Sequence, residues 1–137
     1  MGFDPHTLPD SLKSKMAVEA KTELGFVALT TAEAQAKYER REEKKLHEQF
    51  EQWCNMIGLR NRIHCRMDKP TTIEKGWPDF TLIKQGRVCC IEFKAPGGKL
   101  SPDQFAVGKR ITDDGTLVRV CYDLAEAILF AKEFFGL

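Results

Sequence analysis

The sequence lacks several features that would each assign the chain to a particular class of protein. It has no apolar run long enough to span a bilayer and no visible signal peptide, which argues against a membrane or secreted protein. No internal repeat or low-complexity tract is present, and apolar and charged residues have ordinary shares of 42% and 30%. The 137 residues are too few to divide comfortably into two domains, so we expect one compact domain with one hydrophobic core.

The cysteines form neither a CxxC pair nor an even-numbered set, which argues against a disulfide framework. Several lie in apolar strand-like or helix-like stretches, so we predict reduced, mostly buried thiols in an intracellular, cytoplasmic protein. A zinc site is the alternative, although only the neighbours Cys89 and Cys90 come near the usual ligand spacing. The five residues concerned are Cys54, Cys65, Cys89, Cys90 and Cys121.

Positive charge is concentrated in the middle of the chain, although the whole chain has a formal net charge of only +1. Residues 60–110 carry 11 basic and 5 acidic side chains, whereas residues 1–59 and 111–137 are both net negative. A basic segment in a neutral protein is typical of a surface that meets phosphates. Scattered lysines and arginines are more often merely solvated, so the charge pattern indicates nucleic-acid binding only if a catalytic or binding site accompanies it.

The first half of the chain is predicted to contain an arm and a long helix. Residues 1–30 have no sustained periodicity and are interpreted as an N-terminal arm, separate from a domain over residues 31–137. The spacing of Thr30 and Glu33 is that of a capping box, which predicts a helix from about Ala32 to Ile57. Only the second half of this helix has an apolar face, so its first half should project or pack on a partner.

The second half of the chain predicts strands and two further helices. A serine N-cap, a proline and a capping-box glutamine start a short helix at Ser101, and Asp123 with Glu126 caps a final helix through Phe135. This order of elements predicts an α/β domain with a mixed sheet flanked by helices. The strand-like runs cover residues 61–67, 79–83, 88–93 and 117–122, with a tight hairpin at 84–87.

Strand alternation places three charged side chains on one face of the predicted hairpin. Asp79, Glu92 and Lys94 share that face, whereas the opposite face is apolar. With a loop of two or four residues Asp79 lies directly opposite Glu92, and a loop of three residues would offset the pair by one. Two carboxylates in such positions destabilise a sheet, so a structural role alone explains them poorly.

The same three residues are suited to hydrolysis of a phosphodiester. Two neighbouring carboxylates can share a hard divalent cation such as Mg²⁺ through their oxygens, which removes the repulsion. Lys94 could then orient or deprotonate a water, or stabilise negative charge on the phosphoryl group. A Glu-x-Lys ion pair or a Pro-Asp turn is usually structural when it occurs by itself, but the combination across one hairpin favours a catalytic site.

Two motifs resemble a known nuclease family. Residues 76–80 (GWPDF) and 91–94 (IEFK) are similar to the PD-(D/E)xK nuclease signature, and residues 94–104 (KAPGGKLSPDQ) resemble the virus-type replication-repair nuclease domain, VRR-Nuc. The resemblance runs from about Glu43 to the last strand and does not cover the first forty residues. It implies a restriction-endonuclease-like core, a mixed sheet flanked by helices, and a requirement for Mg²⁺ or Mn²⁺.

The resemblance also implies roles for individual residues. Asp79 and Glu92 would be metal ligands, Lys94 the catalytic lysine, and Gln104 an active-site residue, although the capping box alone could explain Gln104. A glutamate of the first helix is expected as a further catalytic residue and metal ligand. Glu43 is the better candidate because it lies on the apolar face of the helix.

Other polar residues have weaker predictions. Glu48 points away from the apolar face of the helix, and His47, which faces inward, is interpreted as a satisfied core histidine rather than a base. Four basic side chains are candidates for DNA phosphate contacts, with plain solvation as the alternative: Arg66, Lys75, Lys99 and Lys109.

The leading functional hypothesis is a homodimeric, structure-specific DNA endonuclease in DNA repair, acting on branched DNA such as Holliday junctions. Stand-alone members of the family resemble such resolving enzymes, in which two sites cut two strands. The alternatives are a monomeric nicking or flap nuclease, a hydrolase of small phosphoesters, and a non-catalytic nucleic-acid-binding module, against which the intact motifs argue. We expect no small-molecule cofactor and no membrane partner, and a phage or bacterial source is an expectation by analogy.

Overall fold

A computed structural model describes residues 30–66 and 71–137, and the order of its elements agrees with the prediction. The chain divides into two compact units, Met1–Arg40 and Arg41–Leu137, and the second unit contains the sheet. The predicted arm lies outside the described residues except for Thr30. The elements are α1 (Thr31–Ile57), β1 (Arg62–His64), β2 (Phe80–Lys84), β3 (Arg87–Phe93), α2 (Pro102–Asp113), β4 (Leu117–Cys121) and α3 (Leu124–Phe135).

The four strands form one mixed sheet in the order β1-β2-β3-β4. β1 and β3 each pair antiparallel with β2, whereas β4 runs parallel to β3. A parallel neighbour requires a crossover connection, which α2 supplies. The predicted α/β fold, a mixed sheet flanked by helices, is therefore confirmed. None of the helices in the described ranges has both the length and the apolar character needed to cross a membrane.

The hairpin between β2 and β3 turns through two residues, Gln85 and Gly86. Both have positive φ angles, 51° and 76°, as the two central residues of a type I′ turn do. This turn is common between antiparallel strands because its twist matches theirs. The loop therefore has an even number of residues, which is the condition on which the predicted pairing of the two carboxylates depends.

The register of the hairpin agrees with the predicted one. It pairs Lys84 with Arg87 and continues along both strands, so Asp79 and Glu92 fall opposite each other. The strand ends differ slightly from the prediction: Asp79 precedes β2 instead of starting it, and β1 covers only three residues. At Asp79 side chains replace the backbone ladder toward β3: Asp79 N donates to the Glu92 carboxylate, and the Asp79 carboxylate accepts from Phe93 N.

The hydrophobic core lies between one face of the sheet and the helices α1 and α3. Each large apolar side chain that is fully buried here stabilises the fold by roughly 1.5–3 kcal/mol. The sheet contributes the face that was predicted to be apolar. The core consists of Phe50, Trp53, Cys54, Leu59, Phe80, Leu82, Cys89, Ile91, Phe93, Cys121, Ala127, Phe130, Ala131 and Phe135.

All five cysteines are free and buried, as predicted. Burial raises the pKa of Cys54 to about 11 and that of Cys89 and Cys121 to about 12, because an apolar interior disfavours the thiolate. These cysteines therefore act as small apolar core residues.

The helix α2 packs on the opposite face of the sheet and begins with the predicted capping box. Ser101 Oγ accepts from Gln104 N at 3.1 Å, and Gln104 Oε1 accepts from Ser101 N at 2.9 Å. The loop before β2 approaches this helix start so closely that a Cβ on Gly76 would lie 2.5 Å from the carbonyl group of Asp103. These contacts hold the first turn of α2 beside the carboxylate end of the hairpin.

Candidate active site

Asp79 and Glu92 lie side by side where β2 begins and β3 ends. Asp79 N donates to Glu92 Oε2 at 3.1 Å, and Phe93 N donates to Asp79 Oδ2 at 2.7 Å. Each carboxylate is thus held by a backbone amide of the opposite segment. Glu92 is only 4% exposed, so the pair is largely shielded from solvent.

The surroundings of Glu92 disfavour its charged form. Burial is the main cause that raises the pKa of Glu92 well above its usual range, and the neighbouring charge of Asp79 raises it further. Lys94 opposes these effects only in part. The pair is therefore more stable when a proton or a cation neutralises one of its charges.

Lys94 lies one residue beyond β3, and its backbone continues the parallel ladder by donating to Cys121 O at 3.0 Å. The residue is 9% exposed, and its Nζ lies 3.9 Å from Glu43 Oε1 on α1. Burial raises the pKa of Glu43, while Lys94 and a backbone hydrogen bond from Ala95 lower it. The structure thus places Glu43 beside the site, whereas Glu48 is exposed.

Gln104 connects the helix cap to the carboxylate pair. Its Oε1 accepts from Ser101 N, which leaves its Nε2 to donate to Glu92 Oε1 at 2.9 Å. Because the cap occupies the amide oxygen, the orientation of the amide follows from the network. The capping role and the contact with the site therefore occur together, and the two interpretations of Gln104 do not compete.

A chain of hydrogen-bonding groups approaches Asp79 from α1 and β1. Glu51 Oε1 lies 3.1 Å from His64 Nδ1, and His64 Nε2 lies 3.2 Å from His47 Nδ1. His47 Nε2 in turn lies 3.1 Å from Asp79 Oδ2. The His64 ring also stacks on Phe80, with ring centroids 4.2 Å apart.

The hydrogen-bonding roles along this chain follow from the carboxylate at its end. A carboxylate only accepts, so Nδ1 of His64 donates to Glu51, and Nε2 of the neutral ring accepts from His47. Burial, and next the neighbouring His47, lower the pKa of His64, which favours that neutral ring.

The buried Nε2 of His47 lies 3.1 Å from Asp79 Oδ2, but outside hydrogen-bonding geometry. His47 faces inward, as predicted, with Nδ1 toward His64 and Nε2 toward Asp79. Sequence reasoning missed Glu51 and His64 entirely, because they meet His47 only through the packing of β1 on α1. The only signal in the sequence is that Glu51 lies four residues after His47, on the same side of the helix.

The four basic candidates lie on the exposed surface and not among the carboxylates. Lys75 Nζ lies 3.4 Å from Asp103 Oδ2, and Lys109 Nζ lies 2.8 Å from Asp113 Oδ2. Exposed ion pairs of this kind contribute only about 0–1 kcal/mol, so a phosphate can replace the carboxylate partner. The other two candidates, Arg66 and Lys99, are also exposed.

The donors at the carboxylate pair fit a hard divalent cation. Two adjacent carboxylates, one with a raised pKa, lie beside His47, whose Nε2 is 3.1 Å from Asp79 Oδ2. Over residues 30–66 and 71–137, no group of three or more His, Cys, Asp or Glu side chains is placed to hold a metal by itself. This leaves the zinc alternative without support, whereas Mg²⁺ is commonly bound by one or two carboxylates with waters completing its shell.

Comparison with known families gives one result. Residues 27–123 match the family model described as the VRR-NUC domain. No curated protein and no solved structure matches the chain. The matched residues include the carboxylate pair, Lys94, Glu43 and Gln104, and they make up more than half of the chain. The chain therefore belongs to the VRR-NUC domain family, a family of nucleases.

Proposed function

We propose that the chain is a metal-dependent endodeoxyribonuclease that uses Mg²⁺ or Mn²⁺. The observation that carries the proposal is the pair of carboxylates, Asp79 and Glu92, each held by a backbone amide and placed near the buried Lys94. Asp79 and Glu92 would hold the cation, and His47, whose Nε2 lies 3.1 Å from Asp79 Oδ2, would lie beside it. A bound divalent cation supplies Lewis-acid stabilisation of negative charge on the phosphoryl group.

The protein groups around the pair have separate tasks in this proposal. The ammonium of Lys94, which is shielded from water, stabilises charge that develops on the phosphate or orients the attacking water. Glu43, 3.9 Å away, keeps that ammonium directed toward the site. Gln104 fixes one oxygen of Glu92 through its 2.9 Å hydrogen bond. Glu43 is thus a positioning residue, and it becomes a metal ligand only if its carboxylate turns away from Lys94.

The substrate proposed is DNA and not a small phosphoester. The net positive segment at residues 60–110 contains the site, and a long polyanion can contact several of its basic side chains at once. The exposed side chains of Arg66, Lys75, Lys99 and Lys109 are the proposed phosphate contacts. Binding should therefore weaken steeply as the salt concentration rises.

We further propose that the enzyme acts on branched DNA as a homodimer, so that two sites cut two strands of one junction. This part of the proposal rests on the resemblance of stand-alone family members to junction-resolving enzymes. A monomeric nicking or flap nuclease has the same chemistry but cuts one strand. Two observations therefore distinguish it from the homodimer: whether both strands of a junction are cut symmetrically, and the molecular mass of the active protein.

The proposal is tested with four substrates: a four-way junction, a flapped duplex, single-stranded DNA and linear duplex DNA. Each is incubated with the parent chain, Asp79→Asn and the control Asp114→Asn, with Mg²⁺ and with EDTA. Asp114 is an exposed carboxylate at the end of α2, so its substitution repeats the charge change away from the site.

We expect cleavage by the parent and by Asp114→Asn in Mg²⁺ only. Cleavage by Asp79→Asn at the parent rate, or no cleavage by any of the proteins, would overturn the enzyme proposal. Light scattering gives the mass of the active species. A monomer that nicks one strand of the junction would favour the flap or nicking alternative.

A further inference from the structure

A cavity of about 350 Å³ opens beside Glu92, between α2 and the sheet. Its walls are mainly apolar, and Glu92 and Gln104 form the side nearest the carboxylate pair. The volume lies within the range of pockets that bind small ligands or parts of larger ones. We name this cavity the Phe105 groove after the aromatic residue in its lining. Its apolar walls are formed by Pro78, Leu100, Phe105, Val118 and Val120.

Phe105 is unusual because it is an aromatic residue that the fold does not bury. Its side chain is 64% exposed, although it lies on α2 directly after Gln104. Aromatic rings are normally used to bury large apolar areas. Most of the ring surface is uncovered in the free protein and is available to a ligand in the groove.

Three observations favour a base of the DNA strand as the ligand. Glu92 and Gln104 line both the groove and the proposed reaction centre, so a strand cut at Glu92 brings an adjoining nucleotide to the groove. The exposed face of Phe105 offers a stacking surface, and aromatic rings stack on any base. Lys109, at the same groove, is 64% exposed and can turn from Asp113 toward a phosphate.

From these observations we infer that the Phe105 groove binds an unpaired base next to the phosphate that is cut. A base within a continuous duplex is covered by its stacked neighbours, so only an unpaired base can offer its face to Phe105. The groove would thus select DNA that has an unpaired nucleotide at the cleavage position, as flaps and single strands do, and as a four-way junction does when a base pair at its centre opens. This inference rests on the proposed nuclease function and specifies its substrate.

The inference is tested by binding, so that it does not depend on turnover. Full-length Asp79→Asn protein is titrated in Ca²⁺ with a single-stranded oligonucleotide containing 2-aminopurine, whose fluorescence falls when the base stacks. A duplex without unpaired bases is titrated in parallel. The variants are Phe105→Ala, Phe105→Trp and the control Leu129→Ala, which removes an apolar side chain of similar exposure, 58%, from α3.

Phe105→Ala should bind the single strand roughly 5- to 150-fold more weakly, which corresponds to the loss of one base stack. Its affinity for duplex should change less than about twofold, since that binding depends on phosphate contacts. Phe105→Trp should restore both the affinity and the quenching, and Leu129→Ala should match the parent. Because Phe105 is exposed, its substitution leaves the fold intact, and circular dichroism checks this.

Unchanged binding of the single strand by Phe105→Ala would overturn the inference, and so would an equal loss for single strand and duplex. Failure of Phe105→Trp to restore the affinity would also overturn it. These outcomes leave the nuclease proposal standing if the parent still cuts DNA in Mg²⁺. If the parent cuts none of the four substrates, the nuclease proposal itself is overturned. The groove would then no longer lie beside a phosphate that is cut.

Discussion

Gly76 controls how closely the loop before β2 approaches the first turn of α2. A Cβ at this position would lie 2.5 Å from the carbonyl carbon and oxygen of Asp103 and 2.9 Å from Gln104 N. These are backbone atoms, so no side-chain rotation can relieve the contact. Gly76→Ala must therefore move the loop or the helix start, and it should also disturb the hydrogen bond from Gln104 to Glu92.

Gly115 provides a matched control for the size of this effect. Both glycines have φ of +96°, but a Cβ on Gly115 would meet no heavy atom within 4 Å. Gly115→Ala should therefore destabilise the fold only through its left-handed backbone, by about 1–2 kcal/mol. Gly76→Ala carries the same penalty and an additional overpacking penalty of about 1–3 kcal/mol, for a total of about 2–5 kcal/mol.

Urea unfolding followed by circular dichroism measures both free energies of unfolding. Small domains commonly have stabilities of about 5–15 kcal/mol, so both variants should still fold, with Gly76→Ala unfolding at a clearly lower urea concentration. Equal destabilisation by the two substitutions, or a smaller effect at Gly76, would refute the close packing of the loop on α2.

Three further predictions concern the site. In EDTA the free energy of unfolding of the parent should fall as pH rises above the ordinary glutamate range. This follows because burial raises the pKa of Glu92, so the folded carboxyl keeps its proton where the unfolded chain has lost it. Glu92→Gln should lose that slope in urea titrations at about pH 5 and about pH 8, and an unchanged slope would contradict the electrostatic argument. Lys94→Met should slow DNA cleavage by about 10²-fold or more without weakening metal binding measured by calorimetry, and cleavage at the parent rate would exclude a catalytic role. Ser101→Ala should lower the stability by about 1 kcal/mol through loss of the helix cap, and a stability equal to the parent's would contradict the cap.

The carboxylate pair could be predicted from the sequence because its position depends on local rules. Strand alternation and the two-residue turn at Gln85 and Gly86 together determine that Asp79 meets Glu92. The cap of α2 was equally predictable, since Ser101, Pro102 and Gln104 lie within four residues of one another.

Other parts of the site depend on tertiary packing and could not be predicted. Glu51 and His64 are separated by 13 residues and meet only because β1 crosses beside α1. The contact of Lys94 with Glu43 likewise depends on where α1 lies against the end of β3. The Phe105 groove forms where α2, the loop before β2 and β4 come together. The alternation of residues along a strand does not by itself indicate a cavity.

We propose that Asp79 and Glu92 hold the divalent cation on which DNA cleavage depends. The most direct measurement is the electron paramagnetic resonance signal of free Mn²⁺ during titration with the parent, Glu92→Gln and the control Glu133→Gln. Glu133 is an exposed glutamate of α3, so the control makes the same substitution outside the site. Our expectation is that the parent and Glu133→Gln bind Mn²⁺ alike, whereas Glu92→Gln binds it at least tenfold more weakly, a difference of about 1.4 kcal/mol. Equal binding of Mn²⁺ by Glu92→Gln and the parent would contradict it.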